Sequence, residues 1–257
     1  MEEWITEKLR KSDMLLIGIG EEFEERSFLK AQPEYERGLA YLQRVERLEL
    51  LPLLAAGILN GRGRAVKALQ KLYEIIADQN FFLISTCQTD IPRRAGFPEN
   101  RVVTPCGTLR KRQCVCGCEQ SLTDVGEDEL AELYDDILAE NLDPGALGSC
   151  PCCHGKMALN NICLENYLES GYMEDWGRYT RWLQGTLNRN VCILELGVGL
   201  DYPTVIRFPF EKMGYYNQKA SFIRINEKLP YMTKELNERG RSMEKNSIDL
   251  LLAGDIL

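Results

Sequence analysis

Histidine is nearly missing from this chain: 257 residues include one, His154. A single imidazole leaves few sites for ordinary histidine base catalysis, and this one lies beside a run of cysteines. Long apolar stretches are lacking too, and none approaches the roughly 20 residues that span a bilayer. The N-terminus, Met-Glu-Glu-Trp-Ile-Thr-Glu, is acidic and has no charged-then-apolar leader. Nor is there an excess of basic charge. Lys and Arg number 31 against 39 Asp and Glu, and the net charge of −8 gives no general attraction to nucleic acid or anionic lipid. These absences predict a cytoplasmic chain that partners neither nucleic acid nor membrane.

Cysteine, by contrast, is abundant. Ten cysteines without a secretory leader indicate free thiols in a reducing compartment, available for metal or chemistry rather than a disulfide framework. Seven fall in one stretch: Cys106, Cys114, Cys116, Cys118, Cys150, Cys152 and Cys153. The clusters Cys-Val-Cys-Gly-Cys and Cys-Pro-Cys-Cys are two closely spaced thiol groups, the way a chain offers four ligands to one tetrahedral Zn²⁺. Cys150 and Cys153 form the second pair. Cys114 and Cys118 form the first, with Cys116 as the rival of Cys118. Such a metal is structural, with no open coordination position.

The remaining pattern alternates strands and helices. Buried strands are predicted at 14–17, 81–85, 191–196 and 220–226, with a shorter one at 101–104. Helices are predicted at 2–12, 33–59 (kinked or divided at Pro52), 64–78, 127–139, 172–187 and 204–213. Glu235-Leu236 onward and residues 247–252 fit either a last helix or a strand and turn. This order implies an α/β fold: a Rossmann-like, mostly parallel sheet with helices on both faces and an inserted small zinc-ribbon module. The boundaries expected are 1–107 and 160–257 for the nucleotide-binding domain and 108–159 for the module. The first strand ends in Gly18-Ile19-Gly20, where α/β folds place a dinucleotide's pyrophosphate, but Glu21, Glu22, Glu24 and Glu25 follow, and carboxylates there repel phosphate.

Several motifs occur together in order. Thr86-Cys87-Gln88-Thr89-Asp90 follows a strand, then come Cys106-Gly107-Thr108-Leu109, the two cysteine clusters, Leu194-Glu195-Leu196-Gly197-Val198-Gly199 and Ile223-Arg224-Ile225-Asn226. Over about residues 12–226 the chain resembles the sirtuins, most closely their macrodomain-linked bacterial branch. The resemblance implies an NAD site and protein ADP-ribosylation rather than deacylation. It places Gly18, Gly20, Thr86, Gly197, Gly199 and Asn226 at the cofactor, and puts Cys106, Cys87 and Thr89 where the family keeps catalytic groups, with Cys106 at its base histidine. Asp201, Tyr202 and Arg207 are either ribose or adenine contacts or ordinary cap and surface residues.

Two functions follow from the resemblance. One is an NAD-dependent transferase acting on a protein substrate. The other is an impaired homologue that binds NAD, ADP-ribose or a protein partner without turnover. A thiol at position 106 serves as nucleophile or base only if a cation lowers its pKa, and Arg93, Arg94, Arg110, Lys111 and Arg112 lie near it in sequence. Otherwise it fills the space of a lost histidine.

Overall fold

Every residue of Met14–Ile19, Phe81–Ser85, Val191–Leu196 and Ser221–Ile225 is buried. Continuous burial of this kind belongs to parallel strands covered on both faces. The computed structural model describes residues 2–253. In chain order they run α1 (Glu3–Lys11), β1 (Met14–Ile19), a 3-10 turn (Glu21–Glu24), α2 (Arg26–Lys30), α3 (Pro33–Arg44), α4 (Leu51–Leu59) and α5 (Ala65–Ile76). Next come β2 (Phe81–Ser85), α6 (Ile91–Arg94), β3 (Val102–Val103), β4 (Gly107–Cys114), β5 (Thr123–Asp124), α7 (Glu127–Leu138) and β6 (Met157–Asn161). The chain continues through α8 (Met173–Gln184), β7 (Val191–Leu196), α9 (Arg207–Tyr216), β8 (Ser221–Ile225), α10 (Lys234–Asn237), β9 (Gly240–Met243) and α11 (Ser247–Leu252).

The main sheet has six strands in the order β3-β2-β1-β7-β8-β9, and every pairing is parallel. From β1 the chain builds outward one way, then returns and builds the other way from β7. The C-terminal ends of β1 and β7 therefore flank a topological switch point, where open α/β sheets bind ligands. The two-residue period of the strands divides the core. Leu15, Ile17 and Ile19 face α1, α5 and α11, whereas Met14 and Leu16 share the opposite face with Tyr179 and Phe210.

A second sheet, β5-β4-β6, is antiparallel and carries the cysteine clusters. Its core is not self-contained. Cys114, Cys150, Leu133 and Ile137 pack in one cluster with Leu29, Leu42 and Leu54 of α2, α3 and α4.

The expected helix over 33–59 is two helices. The break falls at 45–47, where Glu46 takes a left-handed φ of 54°, and not at Pro52. Pro52 sits in the first turn of α4, where its missing N–H would have had no helical partner. The 14–17 strand runs on to Ile19, so Gly18 lies inside it rather than in the turn. A Cβ on Gly18 would come within 2.5 Å of Ile206 Cγ2, and this is close packing of the α9 end on the strand. The edge strand β9 has no apolar alternation to reveal it. No helix among the described residues is long and apolar enough to cross a membrane.

The ends of β7 and β8 are tied by a buried ion network. Arg224 donates from Nε to Glu195 Oε1 at 2.7 Å and from Nη2 to Oε2 at 3.0 Å, both side chains being fully buried. Nη2 also meets Glu211 at 2.8 Å, and Nη1 meets the Tyr231 carbonyl at 2.6 Å. Arg207 adds bonds to Glu195 and to the carbonyls of Val198 and Leu229. Removing Arg224 leaves the fully buried Glu195 with only the longer 3.3 Å contact to Arg207. Arg224→Met is expected to lower unfolding stability by about 3–5 kcal/mol, read as a lower midpoint in urea denaturation.

Candidate functional site

The segment after β1 determines what the switch point can hold. Gly20 brings two backbones into contact: a Cβ there would lie 2.3 Å from the Cα of Val198, and its N–H donates to the Leu196 carbonyl at 3.0 Å. The turn Glu21–Glu24 then aims its carboxylates at main-chain amides on neighbouring loops. Glu21 accepts from the N–H of Gly199 at 2.5 Å and of Asp201 at 3.1 Å. Glu22 accepts from Glu227 N–H at 2.7 Å and Ser247 N–H at 2.8 Å. Glu24 accepts from Gln88 N–H at 2.9 Å. Glu25, in the left-handed region at φ 47°, accepts from Arg64 and Ala65 N–H and so caps α5. Burial pushes the carboxyls of Glu22 and Glu24 above their ordinary range, against these hydrogen bonds.

A cleft of about 520 Å³ opens here, lined by Glu21, Glu22, Gly197, Gly199, Asn226 and Leu229 among others. Gly197 has φ +61°, and a Cβ on it would fall 2.6 Å from Glu22 Cβ. The equivalent atom on Gly199 would lie 3.0 Å from Glu21 Oε2. Backbone that could approach a pyrophosphate is thus covered by carboxylates, and in this arrangement a dinucleotide's pyrophosphate does not fit. Asn226 is engaged as well: its Oδ1 accepts from Lys228 and Leu229 N–H, and its Nδ2 donates to the Val198 carbonyl. Arg207 faces the buried Glu195 network and not the cleft. Asp201 pairs with Arg26 at 2.7 Å across its mouth.

The groups placed by resemblance at the reaction centre lie behind this segment. Thr86 donates its N–H to the Ile19 carbonyl at 3.0 Å. Cys87 is buried, with Sγ 3.3 Å from the Gly20 carbonyl, and burial together with Glu24 holds its thiol protonated. Thr89 is buried with a hydroxyl that has no partner. Cys106 is fully buried, and burial, then Glu21, Glu24 and Cys163, push its thiol up to about 12. The expected activating cations are all directed elsewhere. Arg93 pairs with Glu99 and Glu127, Arg94 donates to the Ala56 carbonyl and Asn60, and Arg110, Lys111 and Arg112 meet Glu99, Asp124 and Glu129.

Several residues were missed by sequence reasoning. Gln88 joins Cys163 Sγ at 3.9 Å to Tyr202 Oη at 3.5 Å, and Tyr167 donates to the Pro105 carbonyl at 3.0 Å. Asp90, in the left-handed region at φ 51°, accepts from Thr108 Oγ1 at 3.1 Å and lines a separate cleft of about 350 Å³. The signal for Gln88 and Asp90 was their place in the loop after β2.

In the second sheet, the sulfurs of Cys114, Cys118, Cys150 and Cys153 lie within 4.8 Å of one another. A tetrahedral zinc with bonds of about 2.3 Å separates its sulfurs by roughly 3.8 Å, so the four fit such an ion with little movement. Cys116 and Cys152 are exposed, and each donates its N–H to a cluster sulfur, on Cys114 at 3.4 Å and Cys150 at 3.3 Å. His154, with φ 58°, is also exposed beside the cluster.

No protein-family model matches the chain. It is 27% identical over 123 residues to a probable bifunctional ADP-ribose hydrolase/ADP-ribosyltransferase of Fusarium oxysporum f. sp. cubense, covering 46% of this chain and 21% of that protein. It is 28% identical over 96 residues to a protein ADP-ribosyltransferase of Staphylococcus aureus, covering 35% of this chain and 29% of the relative. The chain therefore spans less than a third of the length of these curated relatives. Among solved structures, Sir2Tm bound to a propionylated peptide superposes with TM-score 0.55 at 12% identity over 98% of this chain and 95% of that one. A Sir2 homologue in complex with ADP-ribose gives 0.56 at 15% identity, over 98% and 94%. At these identities the likeness establishes the fold: the chain has the sirtuin (Sir2) architecture.

Two expectations follow from the geometry. At pH 7.5 Cys106 holds about a thousandfold less thiolate than an ordinary cysteine, so peptide mass mapping after iodoacetamide should show Cys116, Cys152 and Cys163 modified long before it. Burial raises the Asp90 carboxyl from 3.8 to about 6. The folded chain thus holds this proton more tightly than the unfolded chain. The resulting stabilisation is complete below roughly pH 4 and is lost as pH rises through 6. Asp90→Asn should stabilise the fold by roughly 1–3 kcal/mol at pH 8 and not at pH 4, as read from urea midpoints.

Proposed function

We propose that this sirtuin-fold chain is an NAD-dependent transferase that passes ADP-ribose to a protein acceptor, and that it is not a deacylase. The observation that carries this is the absence of a base at neutral pH where the fold would place one. The position is taken by Cys106, a neutral buried thiol, and the sole histidine stands on the exposed cysteine loop. An acceptor that arrives already ionised, such as a carboxylate, needs no proton removed by the protein, whereas a hydroxyl or water does. The names of the two curated relatives point to the same reaction class. Gly197, Gly199 and Asn226, which line the cleft, are the residues proposed to face the adenosine half. Gly20, Thr86, Cys87, Thr89 and Cys106, the last three fully buried, are the residues proposed to lie toward the nicotinamide half.

A second reading, a homologue that holds nucleotide or a protein partner without turnover, is favoured by one specific feature: the Glu21 and Glu22 carboxylates occupy the amides a phosphate would use. Nicotinamide release separates the two. Incubation with NAD and candidate protein acceptors should free nicotinamide and leave ADP-ribose on protein, with acyl groups on acylated peptides untouched. No nicotinamide alongside calorimetric ADP-ribose binding supports the second reading, and acyl loss supports deacylation.

In the same reading residues 108–159 form a metal module inserted between 1–107 and 160–257, with structural Zn²⁺ held by Cys114, Cys118, Cys150 and Cys153. The donor chemistry suits it, since four thiolates and two amide-to-sulfur bonds satisfy a closed soft-metal site. Elemental analysis should find one zinc per chain. Cys153→Ser should lose it and lower the melting temperature, whereas Cys116→Ser should keep it.

A further inference from the structure

Four carboxylates within the five residues 21–25 take seven main-chain N–H groups from segments far away in sequence, which surface glutamates have no need to do. Glu21 and Glu22 alone bridge β1 to the loop after β7, the loop after β8 and the start of α11. A carboxylate accepting two amides reproduces what a phosphate oxygen pair does in a nest of backbone N–H groups. The turn is bounded by Gly20 on one side and Glu25 on the other, and Glu25 holds a left-handed φ of 47° that non-glycine residues seldom adopt. It is therefore a short, strained element with a pivot at each end.

We propose that residues 21–25 are an internal anionic plug: Glu21 and Glu22 stand in for the diphosphate of a nucleotide ligand, and a dinucleotide or ADP-ribose enters the cleft only by displacing them. This rests on the reading above in one respect, that the cleft at Gly197 and Gly199 is the nucleotide site. The amides released would be those of Gly199, Asp201 and Glu227, in the loops after β7 and β8, and of Ser247 at the start of α11. The remaining lining carries Arg26, Arg64 and Lys228, of which Arg26 pairs with Asp201 and Arg64 with Asp249. Those pairs engage both arginines with other carboxylates, so Glu21 and Glu22 add charge as well as bulk against a diphosphate there. The loops are held in position without ligand, and ligand choice is set by whatever can exchange with two carboxylates.

The test is calorimetric titration of ADP-ribose into the full chain, wild type against Glu21→Ser/Glu22→Ser and Glu21→Gln/Glu22→Gln. The serine pair should bind at least tenfold more tightly than wild type. The glutamine pair, which removes charge but keeps the bulk, should fall between. Hydrogen exchange on wild type at saturating ADP-ribose should show faster exchange across 20–26. Equal affinity in wild type and serine pair, or no binding by either up to millimolar ADP-ribose while both melt cooperatively, overturns the proposal. If the serine pair does not fold, wild-type exchange decides, and added protection of 20–26 on binding overturns it. The readout here is ADP-ribose binding alone, so tighter binding by the serine pair upholds the plug even where the wild-type nicotinamide-release assay goes against the transferase reading.

Discussion

The buried Glu195–Arg224 pair sets the geometry of everything at the ligand end of this sheet. A carboxylate and a guanidinium have been taken out of water on adjacent parallel strands, and their attraction outweighs that desolvation only because the remaining donors are also satisfied. Arg224 and Arg207 meet that need with carbonyls from the loops after β7 and β8, at Val198, Leu229 and Tyr231. The network thus fixes the loops that bear Gly199 and Glu227, whose amides Glu21 and Glu22 then accept. Two layers of charge-assisted hydrogen bonding, one inside the sheet and one over its edge, are built on the same pair of loops.

Much of the fold was legible in the sequence because its central strands are continuous apolar runs. Phe81-Phe82-Leu83-Ile84 and Val191-Cys192-Ile193-Leu194 admit little else, and the glycines that follow two of the four central strands locate the sheet's C-terminal edge. Where position overrides composition the reading failed. Pro52 suggested a kink but lies harmlessly in a first turn, and the break before it is set by Glu46, which has no composition signal. The edge strand Gly240–Met243 is polar and half exposed, so its identity comes only from its pairing with β8.

The site was legible to a lesser degree. The four acidic residues after Gly20 were visible and their hostility to phosphate was evident. That they bond to amides 39 to 225 residues away was not, because such contacts leave no local pattern. Cys106 stood out for want of a histidine, yet its chemistry depends on which charges the fold brings near. The cations close in sequence turn away, and the carboxylates of Glu21 and Glu24 come from the turn after β1, distant in sequence. Arg224, at the centre of the ion network, looked like part of an apolar strand.

The shared core beneath the cysteine clusters links two regions that would otherwise be independent. Phe28 lines the cleft beside Glu21 and also packs against the cluster that contains Cys114 and Cys150, while Leu29 next to it is buried there. Helix α2 begins one residue after Glu25, so its five residues join the shared core directly to the acidic turn. The cleft and the thiol cluster therefore rest on one shared packing surface, at Phe28 and Leu29.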